Sequence, residues 1–364
     1  MDYQETLTSL RQQQEVSIEE GAEVIFKKSP HLKEGSLDPY ILKDDSNDTD
    51  AKSPFDIDKP DVLNSAEMAL EIRKLMGSPN KDLSKNISES EDSFTSEGNT
   101  IKVYIYKNND RQDLLPAFVF YHGGGFFGGK PEVVANACKG LAEKIPAVVI
   151  NVDYRIAPEF PAPAAVNDCY GAVKWVHENA ASLGVDPTKI IVGGDSAGGN
   201  LSAATAWLDR EKGTNYIGMQ ALIYPTVCLD SEKTEECSWT VDQYKPAPEL
   251  YNHLNDNLMG MVNSHLLIEN VYIKEMDPTD PTFSPLLAND ISNMPPTFIA
   301  IAEFDYLRPS SERYAAKLQA GNVPVKCICY KGMEHAFIDK YGIYPHAEDC
   351  IEEIAAMVKK VFCM

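Results

Sequence analysis

The stretch KIIVGGDSAGGN carries the clearest chemical signal in the sequence. It reads as an apolar strand, then GDSAG (194–198), then an alanine-rich helix, which is the spacing of a nucleophile elbow. Ser196 on such a turn presents its hydroxyl to a carbonyl carbon, and the Ala197 amide at the start of the helix can stabilise the oxyanion that forms. A phosphate-binding loop is the alternative, but the stretch has neither the lysine of a P-loop nor the GxGxxG order of a dinucleotide site.

A second motif, HGGGFFGG (122–129), follows the apolar run FVFY. Each glycine costs backbone entropy on folding, so a run of glycines marks a bend or a close approach by another group. A tetrahedral intermediate needs at least two N–H donors, and the amides of Gly123 and Gly124 could supply them without side chains in the way. We expect His122 to brace this loop through hydrogen bonds and to take no part in catalysis.

Further motifs follow in a fixed order: VDYRIAPEFPAPAAVNDC, SPLLA, AEFDYL and GMEHAF. With HGGG and GDSAGG, they are similar to the motif series of the hormone-sensitive lipase family of α/β-hydrolases, in its bacterial esterase branch. The resemblance covers residues 100–364 and implies ester hydrolysis by a serine triad. It also implies that the triad acid follows the next-to-last strand and that the histidine follows the last one.

The general base and the acid are expected in the C-terminal part of the chain, because the chain order in this fold is serine, acid, histidine. His335 follows the apolar run VKCICY by a short loop, whereas His346 lies further on, so His335 is the predicted base. Glu303 and Asp305 both follow the run TFIAIA, and the family pattern aligns Asp305. The predicted triad is Ser196, Asp305 and His335.

The elements that must position these residues are short apolar runs that alternate with helical segments from residue 100 onward. This alternation predicts an α/β-hydrolase fold, with a mostly parallel central sheet flanked by helices. Two long intervals break the alternation, and we expect them to form a helical cap. The predicted division is an N-terminal cap segment (1–90), a catalytic core in two parts (91–225 and 286–364) and a cap insertion (226–285).

Composition limits the partners. A net charge of −22 argues against binding to nucleic acid or to an anionic membrane surface. The sequence contains no run of 18 apolar residues and begins without a basic leader, and its eight cysteines show no zinc-site spacing. We therefore expect a cytoplasmic protein without a membrane span that needs no cofactor, metal or disulfide, and a small-molecule ester as its ligand. A homodimer stays open.

Other functions share these motifs. A carbohydrate or aryl deacetylase or an amidase would use the same triad, because the triad is common to acyl transfers. A non-catalytic small-molecule receptor is the third reading, as in the plant gibberellin receptors, which resemble this family but lack the catalytic histidine. The presence of His335 favours catalysis. A cap built from two segments predicts a limited pocket and therefore short acyl chains.

Overall fold

The computed structural model describes residues 2–47, 64–110, 114–230 and 235–364. Within these ranges ten strands form one sheet in the order β1-β2-β10-β9-β8-β7-β5-β6-β4-β3. The strands are β1 (Gln14–Glu19), β2 (Ala22–Lys27), β3 (Ile87–Ser96), β4 (Asn99–Asn108), β5 (Leu115–Tyr121), β6 (Val148–Asp153), β7 (Val185–Asp195), β8 (Ile217–Ile223), β9 (Thr297–Phe304) and β10 (Val325–Glu334). Neighbours from β2 to β6 are parallel, and antiparallel pairs add β1 at one edge and β4 with β3 at the other.

Helices cover both faces of this sheet. They are α1 (Tyr3–Gln12), α2 (Pro39–Asn47), α3 (Ser65–Arg73), α4 (Pro131–Lys144), α5 (Ala164–Glu178), α6 (Ala180–Leu183), α7 (Ala197–Glu211), α8 (Tyr251–Ile268), α9 (Arg308–Ala320) and α10 (Pro345–Val361). Side chains of β5 alternate between two cores, since Phe118 and Phe120 belong to one and Val119 and Tyr121 to the other. Burial on both faces explains the continuous apolar runs and confirms the predicted α/β fold.

The strand register brings the predicted site residues together. Tyr121 at the end of β5 pairs with Gly194 of β7, so the HGGG loop begins beside the nucleophile elbow. Phe304 at the end of β9 pairs with Glu334 at the end of β10. Because parallel strands end at the same edge of the sheet, the residues that follow these two strands lie side by side there.

The N-terminal region differs from the expected cap segment. Residues 14–27 form the hairpin of β1 and β2, and β2 pairs in parallel with β10 at the edge of the main sheet. Ala22 and Val24 are buried there, and the buried Lys27 Nζ lies 2.7 Å from Asp349 of α10. The later part of the 1–90 segment lines the cavity at the catalytic serine, through residues that include Leu75 and Met76, and the Asp38 N–H donates to the Gly332 carbonyl of β10, shortly before His335 (2.8 Å). The parts of the predicted cap at 48–63 and 231–234 lie outside the described residues, and the division into domains stays a prediction.

Cys228 and Cys237 form a disulfide with their Cα atoms 5.9 Å apart, which contradicts the expectation that the protein has none. The two residues are nine positions apart, and their spacing matches no motif that the sequence analysis used. In the described ranges no group of three His, Cys, Asp or Glu residues is placed to hold a metal ion. Among the same residues, no helix has the length and apolar character needed to cross a bilayer.

Candidate active site

Ser196 occupies the tight turn between β7 and α7. Its backbone has φ 54° and ψ −116°, and its N–H donates to the Ile223 carbonyl (2.9 Å). A φ in this range is strained for a residue with a side chain, and such strain is common at functional sites. The glycines two positions before and after the serine are required by space, because a Cβ on Gly194 or Gly198 would collide with the Tyr121 carbonyl oxygen.

His335 lies between Ser196 and Asp305. Its Nε2 is 3.0 Å from the Ser196 Oγ, and its Nδ1 is 2.7 Å from the Asp305 Oδ2. The other carboxylate oxygen of Asp305, Oδ1, accepts the Leu307 N–H at 2.9 Å, which fixes the rotation of the carboxylate. Asp305 is buried, with 1% of its side chain exposed, whereas His335 is 20% exposed. The three predicted triad residues thus form one chain of hydrogen bonds.

The electrostatic surroundings of His335 favour its protonated form. Burial lowers the pKa of His335, but the neighbouring Asp305, through its charge and hydrogen bond, raises it, and Asp195 and Asp339 add to this. The net result is a pKa of His335 above its ordinary value. An imidazole with a raised pKa accepts a proton from a serine hydroxyl more readily.

The rejected candidates have other partners. The Glu303 carboxylate accepts the Gly332 N–H at 2.7 Å. His346 is buried on α10, with its Nε2 3.1 Å from the Ser29 Oγ and 3.4 Å from the Asp38 Oδ2. Neither residue contacts the nucleophile. The sequence favoured His335 over His346 by its position and left the choice between Glu303 and Asp305 open from the residues alone, and the hydrogen-bond partners of Glu303 and His346 now separate both from the triad.

The glycine loop supplies a different pair of amides from the one expected. The Gly123 N–H donates to the Asp195 Oδ1 at 2.9 Å, so it is already engaged. The amides of Gly124, Gly125 and Ala197 have no acceptor among the described residues. Gly124 and Gly125 have φ values of 119° and 60°, which turn the loop beside the serine. The free donors at the site are therefore Gly124, Gly125 and Ala197, and Gly123 is not one of them.

His122 sits beneath this loop. Its Nδ1 lies 2.8 Å from the Gly123 carbonyl oxygen, and its ring stacks on Tyr154 at 4.4 Å between centroids. The Tyr154 hydroxyl donates to the His122 carbonyl at 2.6 Å. Burial lowers the pKa of His122 to about 4, so the ring is neutral and its Nδ1–H can donate to Gly123. A histidine that braces the loop would make these contacts.

A cavity of about 300 Å³ opens above the serine. Residues from the N-terminal segment and from α8 face each other across it, and among them are Leu75, Met76, Met261, His265 and Ile268. The sequence analysis did not single out Asp339, which also lines this cavity. It lies four residues after His335, just beyond the GMEHAF motif, in residues that match no motif of the series.

Two buried carboxyl groups adjoin the triad. Burial raises the pKa of Asp195 to about 6, and the hydrogen bond from Gly123 limits that rise. Burial and the charge of Asp195 raise the pKa of Asp339 to about 8. Both groups contribute negative potential near His335 when they are ionised.

Comparison with known proteins places this geometry among hydrolases. Residues 118–339 match a family described as having the alpha/beta hydrolase fold. The chain is 35% identical over 264 residues to the carboxylesterase NlhH of Mycobacterium tuberculosis, a match that spans 71% of this chain and 78% of that protein. It is 35% identical over 242 residues to an arylesterase of Saccharolobus solfataricus, covering 66% and 74% of the two chains.

The structure of this chain is also similar to a solved esterase structure. The hyperthermophilic esterase from the archaeon Pyrobaculum calidifontis superposes with a TM-score of 0.69 at 33% identity. The alignment covers 90% of this chain and 100% of that one. The likeness therefore extends beyond the short motifs to most of the structure.

Proposed function

We propose that this chain hydrolyses short-chain carboxylic esters through an acyl-enzyme on Ser196. The premise is its family: the chain belongs to the alpha/beta hydrolase fold family and is an esterase of the hormone-sensitive lipase-like group. The observation that carries the proposal is the unbroken hydrogen-bond chain from Ser196 through His335 to Asp305. A non-catalytic small-molecule receptor would not need this series of hydrogen bonds.

In the first half of the reaction, the Ser196 Oγ attacks the ester carbonyl while the His335 Nε2 takes its proton. Asp305 holds the Nδ1–H of the imidazole, which keeps the lone pair of Nε2 directed at the serine. His335 then returns the proton to the leaving alcohol, and an acyl group remains on the serine. Water repeats the sequence and releases the acid.

We assign the oxyanion to the amides of Gly124, Gly125 and Ala197. This replaces the expected Gly123, whose N–H is held by Asp195. In this assignment Asp195 and His122 are positioning residues, because both hold Gly123 and thereby fix the two glycines that follow it. Loss of a single oxyanion donor typically lowers turnover by roughly 100- to 1000-fold.

The size of the cavity supports a preference for small esters. A volume of about 300 Å³ is at the lower end of the range for small-molecule sites. The residues that line it include some from the segment after α3 and from α8, which belong to the two predicted parts of the cap. We propose that these segments together exclude long acyl chains.

The proposal also covers the compartment and the oligomeric state. A cytoplasmic location and a homodimer stay predictions. The disulfide between Cys228 and Cys237 weighs against the cytoplasm, where thiols are usually kept reduced. Cell fractionation tests the first prediction, and light scattering on the purified protein tests the second.

Replacement of the nucleophile tests the proposed mechanism. Ser196→Ala should abolish hydrolysis of p-nitrophenyl butyrate in a protein that stays folded, and His335→Ala should be nearly as severe because triad members act as a unit. His346→Ala is the control, since that histidine is buried far from the serine among Ser29 and Asp38. Substantial turnover by folded Ser196→Ala would contradict the proposal.

A further inference from the structure

Asp339 is a carboxyl group in the active-site cavity that the proposed mechanism does not use. It lines the cavity together with Ser196 and His335. Its Oδ1 is buried and has no hydrogen-bond partner among the described residues. Leaving a buried polar group unpaired is costly, so such a group in a ligand cavity points to a partner that the ligand supplies.

The groups that act on Asp339 are of both signs, and the positive charges of His335 and Lys340 lower its pKa. Asp195 at the end of β7 is another carboxyl, and Tyr224 after β8 is buried and un-ionised. Lys340, the next residue along the chain, directs its Nζ over the Tyr344 ring at 5.9 Å. The charge of His335 also acts on Asp339, and catalysis requires that imidazole to be neutral.

We propose that Asp339 is a specificity-determining residue that binds a cationic group on the alcohol part of the ester substrate. The inference rests on the esterase function proposed above. No lysine or arginine is among the described residues that line the cavity, so a substrate cation that reached the Asp339 carboxylate would meet no permanent cation of the lining. The overall charge of −22 acts in the same direction at longer range.

The position of Asp339 selects the alcohol side of the ester. His335 must return its proton to the leaving oxygen, so the alcohol departs beside the imidazole. Asp339 belongs to the short helical turn that follows this histidine, Phe337–Lys340, and its charge acts on the ring. A cation two or three bonds beyond the ester oxygen would therefore lie near the carboxyl group.

An isosteric pair of esters isolates the effect of charge. Butyrylcholine and 3,3-dimethylbutyl butyrate have the same shape and acyl group, but only the first carries a positive charge. Wild-type protein should hydrolyse butyrylcholine with the higher kcat/KM, and Asp339→Asn should lower the ratio of the two kcat/KM values by at least about tenfold, as expected for loss of one partner of a buried charge pair.

The preference should also depend on pH. The charge of butyrylcholine is permanent, so a change in the ratio with pH reports the protein. Because the pKa of Asp339 is raised to about 8, its carboxylate form becomes populated as pH rises through that value. The ratio should increase between pH 7 and pH 9 in the wild type and stay flat in Asp339→Asn.

Asp290→Asn serves as the matched control, because it removes the same charge from an exposed position outside the cavity. Its ratio should equal that of the wild type. Equal kcat/KM values for the two esters at every pH, or a preference that survives in Asp339→Asn, would overturn the proposal. A failure of the wild type to hydrolyse either ester would instead contradict the esterase mechanism proposed above.

Discussion

Replacement of Asp305 by asparagine should leave the site assembled but move the proton of the neutral His335 ring from Nδ1 to Nε2. The asparagine Oδ1 can still accept the Leu307 N–H, which holds this side chain in place at 2.9 Å. Its amide nitrogen would then face the His335 Nδ1, where a carboxylate oxygen now lies at 2.7 Å. Two donors cannot face each other, so the imidazole must carry its proton on Nε2.

This change removes the base without removing the histidine. An Nε2–H would donate to the Ser196 Oγ across the 3.0 Å contact and could not take its proton. The equivalent substitution in a Ser-His-Asp protease lowers kcat by ~10⁴, and we expect a similar loss here. That factor corresponds to roughly 5 kcal/mol of transition-state stabilisation, far more than a surface charge would contribute.

Glu303→Gln is the matched comparison, because it neutralises the other candidate acid at the end of β9. Glutamine can still accept the Gly332 N–H, and the residue contacts neither Ser196 nor His335. Its kcat on p-nitrophenyl butyrate should stay within about tenfold of the wild-type value, since it touches no reacting group. Circular dichroism and thermal melting would establish that both variants fold. If Glu303→Gln were the crippling change, or Asp305→Asn kept most of its activity, the assignment of the acid would be wrong.

Three further predictions follow from other contacts. The raised pKa of His335 should place the acid limb of the kcat/KM profile on p-nitrophenyl butyrate above about pH 6.5, the ordinary histidine value, and a midpoint below 6 would argue against it as the base. The cavity of about 300 Å³ should favour the butyrate over the palmitate ester in kcat/KM, and a preference for palmitate would refute the role of the cap. In urea denaturation, His265→Gln should reduce the stability lost between pH 7 and pH 4.5 relative to the wild type, because burial lowers the pKa values of His122 and His265 to about 4 in the folded protein. The raised pKa values of Asp195 and Asp339 act in the opposite direction in both proteins and cancel in this comparison. The unfolded chain binds more protons below about pH 6.5, so the contribution is complete above that pH and is lost toward pH 4, by about 3 kcal/mol per histidine. If His265→Gln left this pH dependence unchanged, that explanation would be refuted.

The motifs, with the family resemblance that aligned Asp305 in place of Glu303, were sufficient to predict which three residues meet, because that information is local. The elbow around Ser196 has a fixed spacing, and the strands before Asp305 and His335 are recognisable as apolar runs. The chain order of the fold then places their ends at one edge of the sheet. The structure adds the distances and separates Glu303 and His346 from the triad through their hydrogen-bond partners.

The remaining features depend on contacts between distant parts of the chain. Gly123 was expected to bind the oxyanion, but its amide meets the Asp195 carboxylate 72 positions away. The strand β2 pairs with β10 across most of the sequence, so the spacing of apolar residues alone does not reveal it. The position of Asp339 follows from the fold of the loop after His335, where no motif marks it.

The acyl-enzyme is the central claim, and its most direct test is to trap it. Wild-type protein would be mixed with p-nitrophenyl butyrate, quenched in acid within one turnover and analysed by mass spectrometry of its peptides. We predict one butyryl group on the peptide that contains Ser196 and none on the same peptide of Ser196→Ala. A wild-type protein that hydrolyses the ester with no acyl group on Ser196, or with the acyl group on another residue, would contradict the account.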